Sequence, residues 1–129
     1  MTRILLSLAL VLVAAGPAAA QSNDHGASQL NGDWTLDLRP TNEAPAYIKS
    51  MKLDITPAGE VRGEFYDHVI EDGRAFDGKG RACFAFHTSD NTGPYQTSGC
   101  RVGDQIEGQS WSEGRRFLLT WTAVRTVGK

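Results

Sequence analysis

The chain has 129 residues, 22% of them charged, and a formal net charge of −2 with both signs scattered along its length. That balance excludes a nucleic-acid binder, which needs a clustered basic face. It also offers no basic amphipathic helix of the kind that rests on a membrane surface, and the length suits one domain with a modest core.

The first residues, Met1-Thr2-Arg3, are followed by an apolar run over residues 4–15 and then by Gly16-Pro17-Ala18-Ala19-Ala20. A short positive start, an apolar stretch and a small-residue end predict a signal peptide over residues 1–20, cleaved after Ala20. The run is nearer a dozen residues than the roughly 20 that a membrane span requires. The expectation is an exported protein, periplasmic or secreted, whose mature form has no membrane span. No cysteine stands at the cleavage point, so a lipid anchor is not expected. Residues 1–20 hold one cation, Arg3, and no acid, so their loss moves the charge from −2 to −3. Cleavage after Ser22 is the alternative. It would expose Asn23-Asp24-His25, whose amine, amides and imidazole make a square-planar nitrogen set suited to Cu(II) or Ni(II). Otherwise no metal and no cofactor are expected. Residues 21–30 are polar and aperiodic and read as a flexible leader, with the folded domain over residues 31–127.

Within that domain, apolar residues alternate with polar ones in short runs separated by turn signals, the pattern of β-strands. The first run holds Trp34, Leu36 and Leu38 on one face. A longer connection, 39–47, contains Pro40 and Pro45. The second run is 51–55, turned by Pro57-Ala58-Gly59. The third, 61–65, extends as far as Ile70, and Asp72-Gly73 is expected to form a hairpin turn into a short fourth run, 74–76. The fifth, 82–88, places Phe84 and Phe86 on one face. Asp90-Asn91-Thr92-Gly93 turns it into the sixth, 95–102. Gly103-Asp104 leads to the seventh, 105–111, and Ser112-Glu113-Gly114 to the eighth, 117–125, where Phe117, Leu119, Trp121 and Ala123 share a face. Eight short strands joined mostly by tight turns predict an all-β, eight-stranded antiparallel up-and-down β-barrel, with a sandwich as the alternative. Closure removes exposed sheet edges, and eight strands enclose a packed interior or one small ligand. Gly63, Gly99 and Gly108 fall inside strands, where glycine marks bends or close backbone approach.

Two cysteines, Cys83 and Cys100, remain in a chain read as exported, which favours a disulfide. If Asn91 and Thr92 form the tip of their turn, Cys83 lies directly opposite Cys100, Phe84 opposite Gly99 and Phe86 opposite Thr97. Directly opposed residues lie within reach of a cross-strand disulfide. A structural bridge is the leading expectation. A redox switch is the alternative, because strained bridges are easier to reduce.

Gly32-Asp33-Trp34 opens the first strand and Arg125 ends the last, four residues after Trp121. This layout resembles the lipocalin and avidin-like barrels of the calycin group. The resemblance implies that Trp34 sits near the closed end of the barrel with Arg125 covering it as a structural cation–π pair. It also implies that the 39–47 connection lies at the open end. The avidin-like pattern that clasps biotin is missing, so biotin binding is not implied. The stretch from Gly99-Cys100 to Arg125 also looks like small uncharacterised secreted bacterial proteins.

Function is read from the predicted inner face. Trp34, Phe65, Phe84, Phe86, Tyr95, Phe117 and Trp121 could all point inward, with Tyr95 and Thr97 as polar handles. The expected ligand-binding residues are Trp34, Phe65, Phe84, Phe86, Tyr95, Thr97 and Trp121, against the alternative of a plain packed core. No local triad context surrounds His68 or His87, and no metal-ligand spacing is present. The expectation is therefore a non-catalytic protein that binds a small hydrophobic or amphipathic molecule. The alternative is a filled barrel that binds a protein partner through Trp111, Arg115 and Arg116. An enzyme would need His68 or His87 to face a cavity beside a carboxylate.

Overall fold

The alternation of the sequence is realised in nine strands: β1 (Gly32–Asp37), β2 (Ile48–Ile55), β3 (Glu60–Phe65), β4 (His68–Val69), β5 (Glu71–Gly78), β6 (Arg81–Asp90), β7 (Gly93–Val102), β8 (Gln105–Ser112) and β9 (Phe117–Arg125). The structure, a computed structural model, describes residue 16 and residues 26–128. The signal peptide, its cleavage point and the Asn23-Asp24-His25 terminus lie outside the described residues. Each strand pairs antiparallel with its neighbours, and β1 pairs with both β2 and β9, which closes the sheet. β4 and β5 both pair with β3 and are two parts of one stave. The result is an eight-stranded antiparallel closed barrel, as expected from the meander; the sandwich alternative is excluded.

The turns follow local chemistry. Lys79 and Gly80 both take positive φ between Gly78 and Arg81, and Gly103 takes positive φ between Val102 and Gln105. These are the primed two-residue connections whose twist suits hairpins. One turn differs from the sequence reading. The chain reverses at Tyr66-Asp67, both with positive φ, not at Asp72-Gly73. Asp72, with φ 51°, instead sits in a β-bulge between Glu71 and Arg74 against β6. The Asp-Gly pair supplies the left-handed residue that either a turn or a bulge needs. What selects the bulge is the neighbouring chain: β4 and β5 continue one stave along β3.

Inward residues form one core. Phe84 and Phe86 stack at 5.6 Å, and Phe65 lies 5.6 Å from Phe86 and 5.5 Å from Trp121. Burying each such side chain contributes about 1.5–3 kcal/mol. Gly99 and Gly108 oppose each other across β7 and β8, and a Cβ on Gly108 would come within 2.2 Å of the Trp121 indole. Their bare backbones make the space that Trp121 occupies.

A 3-10 turn, η1 (Ala27–Leu30), closes one end of the barrel. The sequence assigns these residues to the leader, but Leu30 is fully buried and packs into the core. It is the one large apolar side chain in an otherwise polar stretch, and burial draws it in. Trp34 Nε1 donates to the Leu30 carbonyl at 2.9 Å. The Arg125 guanidinium lies 4.2 Å above the Trp34 ring and donates to the carbonyls of Gln29 and Asn31. Trp34 and Arg125 thus form the pair that the sequence resemblance implies. No helix among the described residues is long and apolar enough to cross a membrane.

Candidate ligand-binding site at the barrel mouth

Strand alternation brings four connections to the end opposite η1: β1–β2, β3–β4, β6–β7 and β8–β9. Between them lies a cavity of about 410 Å³. Leu38 and Pro40 wall it from the first connection, Phe65 from β3, and Phe117 and Leu119 from β9. Tyr47, Tyr66 and Tyr95 add rings with hydroxyl ends, while His68, Asp90 and Arg115 add charge or polarity. The walls are mostly apolar. Two larger depressions, of about 780 and 810 Å³, are open grooves, one beside the β1–β2 connection and one beside η1. Both are more open and more polar than the mouth, so the mouth is the better ligand site.

The rim is held by short-range bonds. Asp90 Oδ1 accepts from the Thr92 hydroxyl at 2.5 Å and from the Thr92 amide at 2.7 Å. The Thr92 side chain is the main cause that holds the Asp90 carboxyl below its usual range, and His68 adds a smaller Coulombic pull. Thr92 Oγ1 lies 3.1 Å from the Tyr95 hydroxyl, which ties the β6–β7 tip to the cavity wall. His68 Nδ1 sits 2.6 Å from the Tyr66 carbonyl, and its ring stacks on Tyr66 at 6.2 Å. Lys49 lies 4.9 Å from the Tyr66 ring centroid. Arg115 lies 4.7 Å from the Phe117 ring centroid and, among the described residues, has no carboxylate partner within 4 Å.

Of the seven residues expected to contact a ligand, Phe65 and Tyr95 line this cavity. Phe84, Phe86 and Trp121 form the aromatic cluster with Phe65, and Trp34 lies at the η1 end. Thr97 is buried, with its hydroxyl 2.8 Å from Ser110 Oγ; Trp121 Nε1 donates to the same oxygen at 3.1 Å. Sequence reasoning passed over Ser110, although it alternates inward with Ile106 and Gly108 along β8. It also passed over Leu38, Tyr47, Tyr66, Thr88 and Leu119 as cavity residues, and assigned Asp90 to a turn alone.

His87 points outward, 51% exposed, with Nδ1 3.7 Å from Asp72 Oδ2. His68 and Asp90 do line one cavity, but the Asp90 carboxylate is engaged by Thr92. No group of three or more metal-ligating side chains occurs among the described residues. The Cys83–Cys100 disulfide is present, and the β6–β7 register matches the sequence reading, with Phe84 opposite Gly99 and Phe86 opposite Thr97. Trp111 and Leu118 lie side by side on the outer face, 37% and 56% exposed. In comparisons with known proteins, no family model matches the chain, and no curated protein or solved structure matches it significantly.

Proposed function

We propose that this protein is an exported, non-catalytic binding barrel of the calycin kind, which holds a small hydrophobic or amphipathic molecule in its mouth. One observation carries the reading: an apolar cavity of about 410 Å³ under a polar rim. Its size falls in the range of about 300–1,000 Å³ usual for small-molecule sites. The apolar part of a ligand would lie against Phe65, Phe117 and Leu119. Its polar end would meet Arg115 and the Tyr95 hydroxyl at the rim. Calycin kinship draws support from the closed eight-stranded barrel and the Trp34–Arg125 pair at the end opposite the mouth. Export draws support from the apolar N-terminal run and from the disulfide, which persists in oxidising compartments.

The test is titration with a fluorescent amphiphile, 1-anilinonaphthalene-8-sulfonate, and with dodecanoate as competitor. Saturable one-to-one binding is expected, reduced at least about tenfold in Leu119→Trp, which fills the cavity. Unsaturable binding, or equal binding by a folded Leu119→Trp protein, would reject the site.

The exposed Trp111–Leu118 pair favours a second reading, a barrel that binds a protein partner through its outer face. Under that reading Trp111→Ala abolishes capture of the partner and leaves amphiphile binding unchanged.

A further inference from the structure

The Cys83–Cys100 bridge lies on the outer face of the barrel. Its inward neighbours Ala82, Phe84 and Gly99 are buried, whereas both cysteines are half-buried. Two residues before Cys83, on the same outward face, Arg81 reaches across to the opposite strand. Its Nη2 lies 3.3 Å from Cys100 Sγ. Arg81 is exposed and, among the described residues, has no carboxylate partner within 4 Å. The two sulfurs are therefore unequal: a cation stands at Cys100. In thiol–disulfide exchange the leaving sulfur gains the negative charge, and lowering its pKa speeds its departure.

We propose that this disulfide is a directional exchange site for low-molecular-weight thiols, with Cys83 the sulfur attacked and Cys100 the sulfur released. The thiolate of the incoming molecule bonds to Cys83 Sγ. The Cys83–Cys100 bond breaks, and its electron pair leaves on Cys100 Sγ beside the Arg81 guanidinium. The product is a mixed disulfide at Cys83 and a thiolate at Cys100. A second thiol can then attack the mixed disulfide, leaving two reduced cysteines and an oxidised dimer of the small thiol, which is the reductant.

Entry is in line with the breaking bond, from the β5 side of Cys83. Phe76 is the residue opposite Cys83 there, 76% exposed. Its ring lies over Gly78, so close that a Cβ on Gly78 would meet it at 2.4 Å. The ring is thus turned along its own strand. On the other side, Glu107 is opposite Cys100; its carboxylate accepts from Gln105 Nε2 at 3.2 Å and, among the described residues, forms no ion pair with Arg81 within 4 Å. The β6–β7 ladder runs from Cys83–Cys100 to Asp90–Gly93 and continues into β5 and β8. Those hydrogen bonds hold the register after the bridge opens, so exchange proceeds on the folded barrel.

The test is reaction of the oxidised full chain with reduced glutathione at neutral pH, quenching with iodoacetamide, and peptide mass mapping. Glutathione is expected on Cys83, and the alkyl group on Cys100, by about ten to one. Arg81→Gln should slow the reaction roughly tenfold and even out the ratio, consistent with loss of leaving-group stabilisation. Arg81→Lys should restore much of the bias, and Arg62→Gln, the same charge loss at a distant exposed site, should change neither. Glutathione chiefly on Cys100, an even ratio in the unaltered protein, or reaction only in unfolding denaturant would overturn the proposal.

Discussion

Trp121 shows how a single residue sets the requirements of its neighbours. Its indole fills the space left by Gly99 and Gly108, and its Nε1 is bound by a hydroxyl that Thr97 also engages. Among the described residues, no buried side-chain nitrogen or oxygen lacks a hydrogen-bond partner. A methyl group at Gly108 would overlap the indole. Overpacking of this kind costs about 1–3 kcal/mol. Gly108→Ala is therefore expected to lower the urea midpoint by that equivalent, with an unchanged slope. An unaltered midpoint would mean that the indole can shift without cost. The sequence marks Gly108 as unusual within a strand, but not which side chain claims its space, because that depends on the register of β8 against β9, which sets Gly108 opposite Trp121.

At the scale of elements, the β6–β7 hairpin is the best-specified piece of the barrel. Its tip combines an Asp that accepts from a backbone amide two residues on with a glycine of positive φ at the return. Such side-chain capping of a turn is local chemistry and hence readable from sequence. Because Asp90 titrates below its usual range in the fold, its contribution is present above the ordinary aspartate pKa. It is lost as pH falls through the depressed value. The stability gap between the unaltered protein and Asp90→Asn should therefore be constant near about pH 6 and shrink below about pH 4. Thermal melts across that window measure it; a gap independent of pH would rule out the carboxylate as its source. The Tyr66-Asp67 reversal was not legible in the same way. Tyr66 is not a turn former and Asp67 has no glycine after it, so Asp72-Gly73 nearby carries the stronger local signal. Pairing of β4 with β3 decides the matter, and that pairing is a property of the sheet.

For the whole molecule, stability rests on closing the sheet between β1 and β9 and plugging one end with Leu30. The disulfide reinforces a closed ladder instead of creating one. Its 17-residue separation predicts a contribution of about 3 kcal/mol from loop entropy in the unfolded chain. The Cys83→Ser, Cys100→Ser double variant should lose roughly that much in chemical denaturation while keeping the far-ultraviolet circular dichroism of a β-barrel. Loss of the β signal in that variant would show that the bridge is needed for closure itself.

By itself the sequence determined the fold class, the strand count, the inward faces of β6 and β9, and the pairing of Cys83 with Cys100. These follow from period-two alternation and turn chemistry, which act over a few residues. The cavity was decided by tertiary structure alone. Phe65, Phe84, Phe86 and Trp121 meet in one cluster because the barrel curves their strands toward each other. The space that remains lies at the mouth, between residues from four connections far apart in the chain. Alternation assigns a side chain to a face; only closure decides which inward side chains fill that interior and which surround a void.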